Sequence, residues 1–141
     1  MTPQPIGAFI IVVNANSQVL LGQRKNSYKS GLYGCPGGRL ELEETLEKCA
    51  KRELFEETGL KAKTLKYLGV IRELQDGYNF IHFCYMCHEY EGEIILKEPD
   101  KCLGWSFFNQ SNLPEHLLPA HAAGIRLLRE ARSNTCVEIL K

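Results

Sequence analysis

The stretch that most constrains this chain runs from Gly38 to Leu60, GRLELEETLEKCAKRELFEETGL. Its second half predicts a helix entered near Thr45 and stopped at Gly59. Thr45 can cap free N–H groups of the first turn, and Glu47 suits the positive end of the helix dipole. Gly59 is the residue expected just past a helix C-terminus, where a left-handed backbone is needed. At about 100° per residue, Leu46, Cys49 and Ala50 share one stripe, an ordinary core-facing pattern. Two turns later the same stripe carries Glu53, Glu56 and Glu57. A face that begins apolar and ends in carboxylates cannot simply run on into a core.

Ionised carboxylates at i, i+3 and i+4 repel one another and resist burial. A hard divalent cation with oxygen ligands removes both objections, and Mg2+ is the usual choice where phosphates share the site. The competing reading is a solvated acidic helix end. The approach to the stretch, YGCPGG from Tyr33 to Gly38, weighs toward a metal. Pro36, Gly37 and Gly38 predict a tight bend whose backbone can come close to a ligand or ion.

Gly38, Glu44, Arg52, Glu53, Leu54, Glu56, Glu57, Gly59 and Leu60 together resemble, without a gap, the signature of the Nudix hydrolases. That signature is Gly, five residues, Glu, seven residues, then Arg-Glu-apolar-x-Glu-Glu-x-Gly-apolar. The resemblance implies an α/β fold, an α/β/α sandwich with a mixed curved sheet between helices. It also implies Mg2+-dependent hydrolysis of a nucleoside diphosphate linked to another group, with Mn2+ as a substitute ion. Glu53, Glu56 and Glu57 are the expected metal ligands, and the resemblance adds the Gly38 carbonyl. Arg52 and Glu44 are expected as an orienting pair. The proton-accepting carboxylate is Glu53 or Glu98, since the base is not fixed in this family.

The 141 residues make one domain, 1–141, with room for a core. Seventeen basic residues balance seventeen acidic ones, so no polyanion-binding surface and no nucleic-acid polymer partner is expected. The apolar run from Ile6 to Val13 is too short to span a bilayer and has no charged region before it. A soluble cytoplasmic protein without a membrane partner follows. The six cysteines read as reduced thiols acting as small hydrophobes. Cys84-x-x-Cys87 would send its side chains to opposite faces of a strand, which argues against zinc.

Along the chain, Ile6 to Asn14 predicts a buried strand, Asn14 to Gln18 a turn, and Val19 to Arg24 a returning strand. A polar loop from Asn26 to Gly31 follows, and Arg24 or Lys25 is a candidate to reach a substrate phosphate. Lys61 to Leu74 has strand character, with Leu65, Tyr67, Gly69 and Ile71 alternating against Lys66, Leu68, Val70 and Arg72. Asp76-Gly77 signals a hairpin. The return strand, Tyr78 to Tyr90, places Tyr78, Phe80, His82 and Cys84 on one face; that face or the opposite one can floor a base pocket, and Tyr78 and Phe80 are the candidates. Leu103 to Phe108 predicts a further strand, Ala120 to Arg132 a final helix, and Ser133 to Lys141 carries no clear signal. None of the four histidines is assigned to catalysis.

Glu98-Pro99 to Trp105 resembles a segment of small Nudix enzymes that cleave nucleoside triphosphates, in which a glutamate approaches the metal. Short length and this segment together resemble the MutT-like branch, which makes a nucleoside monophosphate and pyrophosphate from canonical or modified (d)NTPs. Tyr78 sits near a tyrosine marking diadenosine polyphosphate hydrolases, so that alternative stays open beside nucleotide sugars of the ADP-ribose type. A non-catalytic nucleotide-sensing module is the alternative outside enzymes. Many family members pair as homodimers, and nothing in this chain specifies how.

Overall fold

Ile6 to Val12, IGAFIIV, is nearly all apolar, and a strand of that composition has to be covered on both faces. In the computed structural model, which describes residues 4–26 and 29–140, it is. In chain order the elements are β1 (Ile6–Val12), β2 (Val19–Arg24), β3 (Tyr33–Gly34), β4 (Gly37–Arg39), α1 (Leu46–Thr58) and β5 (Lys61–Ala62). There follow β6 (Lys66–Gln75), β7 (Tyr78–Cys87), β8 (Tyr90–Glu91), β9 (Cys102–Phe108), α2 (Pro119–Arg129) and β10 (Thr135–Leu140). The main sheet has the order β10-β6-β7-β1-β4 and is mixed: β1 runs parallel to β7 and antiparallel to β4.

Alternation along β1 splits the core in two. Phe9 and Ile11 pack with Ala120, Ala123 and Ile125 of α2. Ala8, Ile10 and Val12 pack with Cys49, Ala50 and Leu54 of α1. One helix therefore covers each face of the sheet, the expected α/β/α sandwich. A second sheet, β3-β2-β9, is anchored by Val19, Leu20 and Leu21, all fully buried.

The local signals act as their chemistry requires. Thr45 Oγ1 accepts the Lys48 amide at 3.1 Å, and Gly59 ends α1 with φ of 81°. Asp76 and Gly77 form the two-residue β6–β7 turn with φ of 53° and 81°, the positive values a primed hairpin turn needs. Cys84 and Cys87 fall in opposite core clusters, and all six cysteines are free thiols.

Several expectations need correction. The strand expected from Lys61 to Leu74 is two, β5 and β6, and the one expected to reach Tyr90 ends at Cys87. A bulge between Tyr67 and Gly69 makes Leu68 an extra residue, so Leu68 joins Ile71 in one cluster while Leu65 and Tyr67 face the other. The final helix begins at Pro119 and ends at Arg129. The segment after it is strand β10, paired parallel to β6 with Val137 and Ile139 on the core. The expected Asn26–Gly31 loop includes Ser27 and Tyr28, which lie outside the described residues, as does Lys141. Among the described residues, no helix is long and apolar enough to cross a membrane.

Candidate active site

Between the two sheets and the start of α2 lies a cleft of about 920 Å3. It gathers side chains that are far apart in the chain: Arg24 from β2, Arg52, Glu53, Glu56 and Glu57 from α1, and Glu98 from the turn before β9. Gly37 and Gly38 line it from β4, and Tyr78 and Phe80 from β7.

The bend expected over Pro36, Gly37 and Gly38 is confined to Pro36. Gly37 and Gly38 are extended in β4, with Gly37 opposite Phe9 and Gly38 opposite Ala8. The edge of β1 captures them, and glycine is required for close approach. A Cβ on Gly37 would stand 2.5 Å from the Ala8 carbonyl oxygen and 2.7 Å from Phe9 Cα. A Cβ on Gly38 would fall on the Glu53 carboxylate. Bare backbone is thus pressed against the acidic end of α1, and the Gly37 amide donates to Glu57 Oε1 at 2.9 Å.

Arg52 organises the acids around it. Its Nε and Nη2 donate to the two carboxylate oxygens of Glu44 at 2.6 and 3.0 Å, a fork-to-fork pair. Nη2 also donates to the Arg39 carbonyl, and Nη1 to Glu53 and Glu56 at 3.1 Å each. The Arg52 hydrogen bonds hold the Glu44 carboxyl down at about 2. Glu44 is not among the cleft-lining residues; it grips Arg52 from behind.

The cleft acids shift the other way. Burial pushes Glu57 up to about 8, against the Gly37 amide, with the charges of Glu53 and Glu98 adding to the rise. Glu53 is raised by burial too, opposed by Arg52 and reinforced by Glu56 and Glu98. Glu98 therefore bears on the same site although forty residues separate it from α1. Trp105 Nε1 donates to the Glu57 carbonyl at 3.2 Å and fixes the end of the helix against β9.

Lys25 is a correction. Its ammonium donates to the Pro99 carbonyl at 3.3 Å, and it is not among the residues lining the cleft, whereas Arg24 is. Glu73 and His121 line the cleft without having been candidates, while His82 shares the β7 face of Tyr78 and Phe80, and Trp105, from the segment that begins at Glu98, lines it too. His121 is buried, accepts the Cys35 amide at Nδ1 (2.8 Å) and stacks on Phe9 with centroids 4.1 Å apart. Its signal, a histidine in an otherwise apolar helical face, was present but unspecific.

The metal-ligating groups at the cleft end of α1 are oxygens, the carboxylates of Glu53, Glu56 and Glu57 with the Gly38 carbonyl beside them, which is the set a hard cation prefers. Among the described residues no three acidic, histidine or cysteine side chains already converge on one point. The positive charge facing Glu53 and Glu56 is the Arg52 guanidinium. The donor set nonetheless fits Mg2+, because an ion there would relieve the burial and mutual repulsion that raise Glu53 and Glu57.

The family model of the NUDIX domain matches residues 3–130. The chain belongs to the NUDIX domain family. Among curated relatives, this NUDIX domain is 32% identical over 132 residues to an NAD-capped RNA hydrolase NudC of Haemophilus influenzae, covering 92% of this chain and 48% of the relative. It is 35% identical over 91 residues to an oxidized purine nucleoside triphosphate hydrolase of Danio rerio, covering 60% of this chain and 55% of that protein. The chain thus spans about half the length of these two relatives. A crystal structure of a MutT NUDIX hydrolase from Burkholderia pseudomallei superposes with a TM-score of 0.85 at 26% identity, covering 89% of this chain and 98% of that one.

Proposed function

We propose that this NUDIX domain hydrolyses a phosphoanhydride bond of a nucleoside diphosphate-linked substrate. The preferred substrate is a canonical or modified nucleoside triphosphate, cleaved to the monophosphate and pyrophosphate. The observation that carries this reading is the joining of β4 to the acidic end of α1, with Glu57 held on the Gly37 amide and Glu53 against Gly38. That arrangement keeps carboxylates concentrated in a cleft that Arg24 also lines.

Glu53, Glu56, Glu57 and the Gly38 carbonyl would hold Mg2+. When bound, such an ion neutralises phosphate charge and lowers the pKa of a coordinated water. The chain's own residues supply the rest. Arg52, locked by Glu44, holds Glu53 and Glu56 in position. Arg24 offers positive charge to the phosphates. Water attacks phosphorus: a new P–O bond forms, the bridging P–O bond breaks with its electrons going to the leaving pyrophosphate, and Glu53 or Glu98 takes the water's proton.

A second reading is a nucleoside diphosphate joined to a group other than phosphate, such as a dinucleotide or a nucleotide sugar. It is supported by the NudC relative, which aligns over 92% of this chain. One panel decides between them. Nucleoside triphosphates, diadenosine polyphosphates, ADP-ribose and NAD are each incubated with the protein and Mg2+, and products are resolved by ion-exchange chromatography. The first reading predicts pyrophosphate and monophosphate from triphosphates at the highest kcat/KM. No turnover of any member would remove the enzymatic reading and leave a nucleotide-sensing module.

A further inference from the structure

The mechanism uses one end of the cleft; the other end holds an unexplained buried carboxylate. Glu73 on β6 is only 7% exposed, yet it lines the cleft. Register places it opposite Phe80 on β7, and the same sheet face carries His82 opposite Gly7 of β1. His82 Nε2 lies 3.3 Å from Glu73 Oε1. Gly7, between His82 and β4, carries no side chain, and the Gly38 carbonyl oxygen stands 2.5 Å from where its Cβ would be. Three strand spacings separate β4, where Glu57 is pinned, from β6, about 14 Å across the floor. That span accommodates a nucleotide with its phosphates at α1 and its base toward Glu73.

The groups at the β6 end are suited to a flat heterocycle. Phe80 and His82 lie nearly parallel, at 14° with centroids 6.0 Å apart, and Phe9 stacks on His121. Because His121 Nδ1 accepts the Cys35 amide, its Nε2 carries the ring's proton and is a donor. Burial also holds His121 well below the usual histidine range, which keeps the ring neutral. A carboxylate is different: its two oxygens accept from two parallel N–H groups at once.

Resting on the nucleotide reading above, we propose that Glu73 is a specificity-determining residue that reads the edge of the base, with His82 positioning it. A carboxylate there selects a base with a ring N–H beside an exocyclic amino group, as in a 2-amino-6-oxopurine. It rejects a base whose ring N–H is flanked by carbonyls, as in uracil or thymine, because a carbonyl oxygen would face a carboxylate oxygen. A group built to receive two hydrogen bonds discriminates strongly against ligands that lack one of them.

The test begins with wild-type protein and needs no catalysis. Binding of guanosine, inosine, N1-methylguanosine and uridine monophosphates is measured by titrating Trp105 fluorescence. Guanosine monophosphate is expected to bind roughly tenfold or more tightly than each of the other three, the scale of one good bidentate base contact. Equal binding of guanosine and inosine monophosphates overturns the proposal. Glu73→Gln, which replaces one acceptor by a donor, should erase that preference, lowering the ratio of kcat/KM for guanosine triphosphate to that for uridine triphosphate by roughly tenfold or more. A uniform loss on every base would mean a structural role and also overturns it. Base preference without turnover would sink only the hydrolase reading, and turnover without base preference only this one.

Discussion

Gly37 and Glu57 are twenty residues apart in the chain and share one hydrogen bond, amide to carboxylate, at 2.9 Å. This contact fastens the short strand β4 to the last turn of α1. It sets the glycine backbone and the acidic stripe on one cleft wall, so changes on either side of it should separate folding from function.

Alanine at the two glycines should have different consequences. At Gly37 the new methyl meets backbone, the Ala8 carbonyl at 2.5 Å and Phe9 Cα at 2.7 Å, so β4 must move from β1. At Gly38 it meets the end of the Glu53 side chain, which can swing away. Gly37→Ala is expected to lose stability on the scale of overpacking, about 1–3 kcal/mol. Gly38→Ala should lose much less stability but most of its turnover, because Glu53 is displaced. Urea unfolding beside initial rates checks both; equal stability losses would contradict the assignment.

Arg52→Lys keeps the charge and removes the fork. Lysine cannot reach both oxygens of Glu44, the Arg39 carbonyl and two more carboxylates from one planar group. Turnover is expected to fall at least tenfold with the Mg2+ requirement shifted to higher concentration. A lysine variant with wild-type Mg2+ dependence would show that the network does not position the acids.

The pH dependence of the metal-free protein should have a defined sign. Glu57 is raised in the fold from 4.5 to about 8, so its contribution to stability is fully present below 4.5 and is lost as pH rises through 8. Each unit is worth about 1.4 kcal/mol, which makes ionisation of Glu57 a cost of a few kcal/mol. Thermal midpoints without divalent ions should therefore fall between pH 6.5, above which His121 no longer contributes, and pH 8, and Glu57→Gln should flatten that slope. His121 acts oppositely: lowered from 6.5, it withdraws stability as pH falls below that value. A Glu57→Gln protein with the wild-type alkaline slope would contradict the burial of this carboxylate.

Trp105, the chain's single tryptophan, donates to the Glu57 carbonyl and lines the cleft. Trp105→Phe removes the donor and should cost about 0.5–1.5 kcal/mol. In the wild type, nucleotide binding should change the fluorescence intensity. A signal indifferent to saturating nucleotide would place the ligand elsewhere.

The helix and its acids were legible in the sequence because they are local: Thr45, Gly59 and the stripe of Glu53, Glu56 and Glu57 depend only on helical period and capping. The Asp76-Gly77 turn was legible for the same reason. Leu68 was misplaced because apolar residues line both faces of β6 around it, which hides a bulge from any alternation count. Thr135, Val137 and Ile139 do alternate inward, but β10 is a strand only because the distant edge of β6 is there to pair with it. Pro36 keeps its bend, but Gly37 and Gly38, which read locally as its continuation, become a strand for the same kind of reason. Glu73, His82 and His121 are single residues on three elements, and only the folded sheet brings them together.

Whether the Glu57 carboxylate serves Mg2+-dependent chemistry is decided by the turnover of Glu57→Gln. Glutamine keeps an oxygen that can accept the Gly37 amide, so the fold contact survives while the charge is lost. The thermal midpoint should lie near or above that of the wild type, with turnover lower by orders of magnitude. A well-folded Glu57→Gln protein that cleaves nucleotides at the wild-type rate with Mg2+ would contradict that role of Glu57.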